Sequence, residues 1–236
     1  MEGYSVSELS VSFVSGGKTI AIDCFVPRSD PRSDPKPDQA PSRFPAIIAL
    51  HGSGGGHDTM AETARPLAAL GFSVYVPHYF DRTGTVEAQM PAMFLNFPLW
   101  MKTLWDVVSL IAQQPAVDGE RIGVLGFSLG AYLALSLGSI DGRVKAVAEY
   151  FGGLPREIRP FMRRLPPTLI LHGDADTVVP VAEAYSLQKA LDERKVRYEM
   201  EIYPGEGHHF SAAIRAKADS RMHTFFLKYL AGKVAD

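Results

Sequence analysis

The chain has 236 residues, with 46% hydrophobic, 10% aromatic and 21% charged positions, one cysteine and a formal net charge of −2. That length and apolar share fit one large α/β domain with a substantial core, and the near-neutral charge gives no reason to expect nucleic acid or an anionic membrane as partner. A single cysteine excludes an internal disulfide framework, no run approaches the ~18 apolar residues of a membrane span, and the first residues lack a charged-then-apolar leader; a cytoplasmic protein is expected.

Val6 to Phe13 partly alternate, and Lys18 to Val26 alternate more clearly, with Ile20, Ile22 and Cys24 on one face. Ser15-Gly16-Gly17 between them is a hairpin signal, so an antiparallel pair is expected at one edge of the sheet. Cys24 reads as a small buried hydrophobe. Residues 27–45 carry six prolines and little to bury, which predicts a flexible surface loop. Ala46 to Leu50 is a continuous apolar run of the parallel-strand type. The loop from His51 to Gly56 follows it, and Thr59 and Glu62 have the spacing of a capping box for a helix reaching about Leu70. The loop matches neither phosphate-binding glycine pattern. Two readings stand for it: a tight turn, or an oxyanion loop donating an N–H from Gly52 or Ser53.

Phe72 to Val76 is the next strand, with His78 to Arg82 at its carboxyl end, where open α/β sheets place ligand contacts. Arg82 is either a partner for a substrate carboxylate or an ordinary surface or ion-paired arginine. Gln89 to Trp100 is apolar without a clean helical period, and forms either a wall over the site or packing beneath the helix expected from Trp100 to Gln113. Ile122, Val124 and Leu125 then suit a buried strand, and Ala131 to Leu137 a buried helix. Between them stands Gly126-Phe127-Ser128-Leu129-Gly130, a G-x-S-x-G at a strand-to-helix turn. Such a turn thrusts the serine hydroxyl outward, and the glycines let strand and helix approach. The amide of Leu129 is then aimed where an oxyanion would form.

Val144 to Tyr150 and Pro167 to Leu171 are further strands, joined through a charged connector from Pro155 to Pro166. Val181 to Lys195 is a helix, Val196 to Tyr203 a strand, and Ala218 to Leu230 the last helix. Asp174 and Asp176 follow one strand; His208 and His209 follow another. A serine nucleophile needs a base, and the base needs an orienting acid. Of the histidines, His208 is favoured over His209, and of the acids Asp176 over Asp174, which suits a turn-stabilising role. No H-E-x-x-H or comparable spacing suggests a metal site.

These residues together resemble the dienelactone hydrolase family of the α/β-hydrolase superfamily. The resemblance rests on Gly126 to Gly130, on His172-Gly173 with Asp176 and Pro180, and on Tyr203-Pro204-Gly205 with His208 and Phe210. It implies an α/β-hydrolase fold: a mostly parallel sheet flanked by helices on both faces in three layers. It also implies Ser128, Asp176 and His208 as the catalytic set, with an oxyanion hole from Leu129 and one amide among Gly52, Ser53 and Gly54. No cofactor is implied. The dienelactone-cleaving members carry a cysteine where this chain has Ser128, and a glutamate about where it has His51. Pro77, Phe80 and Arg82 approximate the family's substrate-arginine motif, whereas Ala212 stands at a second arginine position, leaving Arg215 as a candidate substitute. The expected substrate contacts are Arg82, Phe80, Phe94 and Trp100. The expected activity is serine-dependent hydrolysis of small to medium esters or lactones by a monomer or homodimer, with no nucleic-acid or membrane partner. Alternatives are dienelactone hydrolysis itself, thioester or amide hydrolysis, and a non-catalytic binding protein on the same fold.

Overall fold

The computed structural model describes residues 3–28, 43–159 and 165–232. Strands β1 (Ser5–Ser15) and β2 (Lys18–Arg28) form the expected antiparallel hairpin. Its turn glycines, Gly16 and Gly17, have φ of +50° and +77°, a left-handed backbone that glycine adopts without a Cβ penalty. Ile20, Ile22 and Cys24 are buried together on one face of β2.

The remaining strands are β3 (Phe44–Leu50), β4 (Ser73–Pro77), β5 (Val117–Phe127), β6 (Val144–Tyr150), β7 (Thr168–Gly173) and β8 (Tyr198–Tyr203). Their order in the sheet is β1-β2-β4-β3-β5-β6-β7-β8. β2 pairs antiparallel with β4, and every pair from β4 to β8 is parallel. Side-chain parity in the central strands separates two cores. Ile47 and Ala49 pack with helices α1 (Ala61–Ala69) and α5 (Ala212–Leu230). Ile48 and Leu50 pack with α2 (Met90–Ala112), α3 (Leu129–Ile140) and α4 (Ala182–Glu193). Each fully buried aliphatic side chain in these layers contributes roughly 1.5–3 kcal/mol. The result is the expected three-layer arrangement, with β3, β5, β7 and β8 delivering their following loops to one end of the sheet.

Four local expectations are corrected. α2 begins at Met90, not Trp100, because Pro91 occupies the first helical turn, where no N–H is needed, and Pro98 is accommodated inside the helix. The spacing of Thr59 and Glu62 makes no capping box: the Thr59 hydroxyl donates to the Gly56 carbonyl at 2.7 Å, within a 3-10 turn over His57–Met60. α5 starts at Ala212, six residues earlier than Ala218, directly after the Glu206 carboxylate accepts the Ser211 amide at 2.6 Å. Finally, the ends of the proline-rich 27–45 segment are strand, since β2 runs to Arg28 and β3 starts at Phe44; residues 29–42 lie outside the described residues. Residues 160–164 of the charged connector lie outside them too.

Candidate active site

The turn from β5 to α3 carries Ser128 at φ 53° and ψ −118°, a left-handed backbone for a residue with a Cβ. Such a conformation costs about 1–3 kcal/mol and persists only where the surroundings enforce it. Two glycines make the enforcement possible. A Cβ on Gly126 would lie 2.2 Å from the Gly130 carbonyl oxygen, and one on Gly130 would lie 2.4 Å from that of Leu50. The Ser128 amide donates to the Tyr150 carbonyl at 3.0 Å, which anchors the turn to β6.

The loops after β7 and β8 close on this serine. Ser128 Oγ lies 3.0 Å from His208 Nε2, and His208 Nδ1 lies 2.8 Å from Asp176 Oδ2. The carboxylate can only accept, so Nδ1 carries the proton and Nε2 is left to accept the hydroxyl proton of Ser128. The Asp176 side chain is fully buried. Its other oxygen accepts the amides of Val178 and Val179 at 2.8 and 2.9 Å. Burial alone would raise its pKa, but the bonds from His208 and from those amides outweigh it and hold the carboxyl below its ordinary value. Asp176 is therefore an anion that fixes one imidazole tautomer.

The competing residues have other work. The Asp174 carboxylate accepts the Gly205 amide at 2.7 Å, tying the two loops together across 31 residues; it makes a cross-loop bond in place of the expected local turn. His209 is exposed. His172 is fully buried, its Nε2 donating to the Val179 carbonyl at 2.8 Å, which braces the loop that holds Asp176.

The glycine-rich loop runs against the serine: a Cβ on Gly52 would lie 3.4 Å from that of Ser128. The Ser53 carbonyl accepts the Ala88 amide at 2.8 Å, and the Gly52 carbonyl accepts the Gly55 amide at 3.2 Å, so both carbonyls are engaged within the loop's own surroundings. The Leu129 amide opens α3, where the first N–H groups have no acceptor within the helix. His51 is buried and stacked on Tyr79 at 4.3 Å, and burial pushes its pKa down to about 4, so it is neutral near pH 7.

Three of the expected substrate contacts are engaged by the protein itself. Trp100 is 0% exposed and its indole N–H donates to Thr83 Oγ1 at 2.9 Å. Phe80 is 4% exposed, wedged between the rings of Trp100 and His51 at 4.7 and 4.8 Å. Arg82 donates to the Ser15 carbonyl at 2.5 Å and covers Gly16, where a Cβ would lie 1.6 Å from its guanidinium. It clasps the β1–β2 turn. Arg215 is committed as well, to Asp219 at 2.8 Å and Thr63 at 2.9 Å, with its guanidinium over the ring of Phe127. Phe94 is different: it is 67% exposed on the first half of α2, which follows the Ala88 bond to Ser53.

Two residues with no role assigned from sequence complete the surroundings. Phe151 lies at φ 44°, and its ring packs 4.8 Å from that of His208. Glu149 Oε2 accepts the Gly152 amide at 2.8 Å and so braces that bend from beneath. The Phe-Gly-Gly after β6 is the one local signal that a tight bend stands there. A separate cavity of about 360 Å³, lined among others by Glu8, Asp23, Cys24 and His57, contains none of Ser128, Asp176 or His208.

A model of the dienelactone hydrolase family matches residues 35–229. A protein of Methylorubrum extorquens named "Putative carboxymethylenebutenolidase" is 25% identical over 189 residues, covering 73% of this chain. The chain spans 65% of that relative's length, just under two thirds. Among solved structures, a "Putative Dienelactone Hydrolase" from Klebsiella pneumoniae superposes with a TM-score of 0.79 at 19% identity, covering 95% of this chain and 100% of that one. A "Dienelactone Hydrolase-like Promiscuous Phospotriesterase" from metagenomic libraries gives 0.77 at 18% identity, covering 95% and 98%. At those identities the structural likeness establishes the α/β-hydrolase fold.

Proposed function

The chain belongs to the dienelactone hydrolase family, a family of hydrolases, and on that premise we propose that it is a serine esterase acting on neutral esters or lactones of small to medium size. The observation that carries this reading is the unbroken hydrogen-bonded series from Ser128 Oγ through His208 to Asp176, at 3.0 and 2.8 Å.

In the proposed reaction, Ser128 Oγ attacks the ester carbonyl carbon as its proton passes to His208 Nε2. Asp176 stabilises the imidazolium and stays ionised throughout. The tetrahedral oxyanion is held by the Leu129 amide and one amide from Gly52 to Gly54. Each such donor lowers the barrier by about 3 kcal/mol. His208 returns the proton to the departing alcohol oxygen, leaving an acyl group on Ser128. A water then attacks the acyl carbon, gives its proton to His208, and releases the acid as the proton returns to Ser128.

The preference for neutral substrates follows from the arginines. A dienelactone carries a carboxylate that needs a cation near the reacting carbonyl. Arg82 and Arg215, the two candidates, are bonded to Ser15 and to Asp219. A panel of nitrophenyl esters from acetyl to dodecanoyl, run beside a dienelactone, tests this. Turnover of the shorter neutral esters, with dienelactone kcat/KM at least about 100-fold lower, is expected from the loss of one charge-assisted pair. Dienelactone as the preferred substrate would overturn the assignment of Arg82 and Arg215.

A further inference from the structure

The loop that follows β3 is anchored by its carbonyl groups. The Tyr79 hydroxyl donates to the His51 carbonyl at 2.8 Å. The Gly52 carbonyl accepts the Gly55 amide at 3.2 Å and lies 2.8 Å from His51 Nδ1, which carries the proton because a carbonyl only accepts. The Ser53 carbonyl accepts the Ala88 amide at 2.8 Å. The amides of Gly52, Ser53 and Gly54 meet no acceptor among the described residues. A trans peptide is planar and sets its N–H opposite its C=O, so each tie on a carbonyl also aims the amide of the next residue.

The tie from Tyr79 bears directly on Ser128. It fixes the peptide joining His51 to Gly52, and Gly52 is the loop residue whose Cβ would lie 3.4 Å from that of Ser128. A Cβ on Gly130 would lie 2.5 Å from the same His51 carbonyl oxygen, so this peptide runs against the first turn of α3, where the Leu129 amide stands. Tyr79 is a fixed anchor. It is fully buried, its ring stacked on His51 at 4.3 Å and set edge-on to Phe80 and Trp100 at 4.8 and 5.7 Å. Burial also holds its pKa well above that of a free tyrosine, so the hydroxyl keeps its proton and stays a donor.

Building on the serine-esterase reading, we propose that Tyr79 is a positioning residue for the oxyanion hole: through the His51 carbonyl it locks the peptide whose N–H, that of Gly52, holds the oxyanion together with the Leu129 amide. Tyr79 touches neither the substrate nor the reacting atoms. Its contribution grows as negative charge develops on the carbonyl oxygen of the ester. Without the hydroxyl, the peptide between His51 and Gly52 loses its buried tie and is free to rotate. A rotated peptide presents a C=O where the N–H stood, and repels the oxyanion.

Tyr79→Phe removes one oxygen and keeps the ring. Assayed on a short nitrophenyl ester well below its melting temperature, it is expected to lose about 30-fold in kcat, less than outright loss of a donor. KM is expected to stay within about twofold, since acylation and deacylation both pass through the oxyanion. Affinity for a trifluoromethyl ketone, whose adduct on Ser128 carries the same oxyanion, is expected to fall by the same factor as kcat. Thr83→Val is the control. It takes a hydroxyl from the same aromatic cluster, where Thr83 accepts the Trp100 indole N–H at 2.9 Å, and it is expected to melt lower with kcat unchanged. The proposal is overturned if Tyr79→Phe keeps the wild-type kcat or raises KM alone, or if Thr83→Val loses kcat to the same extent. A wild type that neither hydrolyses the ester nor takes up a fluorophosphonate on Ser128 would overturn the serine-esterase reading itself, and this proposal with it.

Discussion

Ser128→Ala is expected to lower kcat/KM on neutral esters by about 10⁵-fold while leaving the protein folded. The magnitude follows from removing the attacking oxygen itself: what remains is binding and the oxyanion donors, which act on an attack by water alone. Ser128 holds a left-handed backbone whatever its side chain, so the variant keeps that strain and its melting temperature should move little. His208→Ala is expected to cost a similar factor, because the hydroxyl is a weak nucleophile without a base 3.0 Å away. The double variant should be no worse than either single one, since the two groups act as a unit. Additive losses in kcat would mean that Ser128 and His208 serve separate steps.

The second large effect is on stability and depends on pH. Glu149 sits in β6 with Gly126 of β5 and Ile170 of β7 on either side, and is fully buried. One carboxyl oxygen accepts the Gly152 amide and the other has no hydrogen-bond partner. Burial pushes its pKa up to about 8, from 4.5 in the exposed carboxyl, with the Gly152 bond opposing this only in part. Between those two values the folded chain holds a proton that the unfolded chain has lost. Stability from this group is therefore complete at low pH, declines as pH rises through that window, and is lost above about 8. The full span corresponds to a difference on the order of 5 kcal/mol.

Glu149→Gln keeps the shape and the acceptor for Gly152 but has no proton to lose. Near pH 4.5 the variant should match the wild type, and above pH 8 it should melt about 10 °C higher. Denaturant or thermal melts of both proteins from pH 4.5 to 9 measure this. A difference between them that stays constant with pH would contradict it.

The strand-to-helix serine turn is legible in the chain because one of its requirements is local. A Cβ on Gly126 would strike the Gly130 carbonyl four residues on, a requirement written in the motif itself, whereas Gly130 clears the Leu50 and His51 carbonyls at the end of β3. Ser128, Asp176 and His208 are legible as a group for a related reason: each follows directly on a parallel strand, and parallel strands deliver their carboxyl ends to one side of the sheet. Side-chain direction is another matter. Arg82 satisfies a motif spacing, yet its guanidinium is captured by the Ser15 carbonyl, 67 residues earlier in the chain. Trp100 sits in an apolar stretch that suits either a wall or a core; it is fully buried, and the Thr83 hydroxyl oxygen 17 residues away accepts its indole N–H, which makes the core position possible. The early start of α2 is not legible because Gln89 to Trp100 shows no clean helical period, while Pro91 falls in the first helical turn, where it costs no hydrogen bond. Thr59 failed as a cap because the left-handed Gly56 offered its hydroxyl a nearer carbonyl.

The central claim is that Ser128 is an activated nucleophile, and covalent labelling measures that without knowing the substrate. The wild type would be treated with a fluorophosphonate near pH 7.5 and followed by intact mass, then by peptide mapping. One adduct per chain, placed on Ser128, absent from Ser128→Ala and formed far more slowly in His208→Ala, is the predicted result. A folded protein that takes up no adduct, or takes it on another residue, would contradict the account.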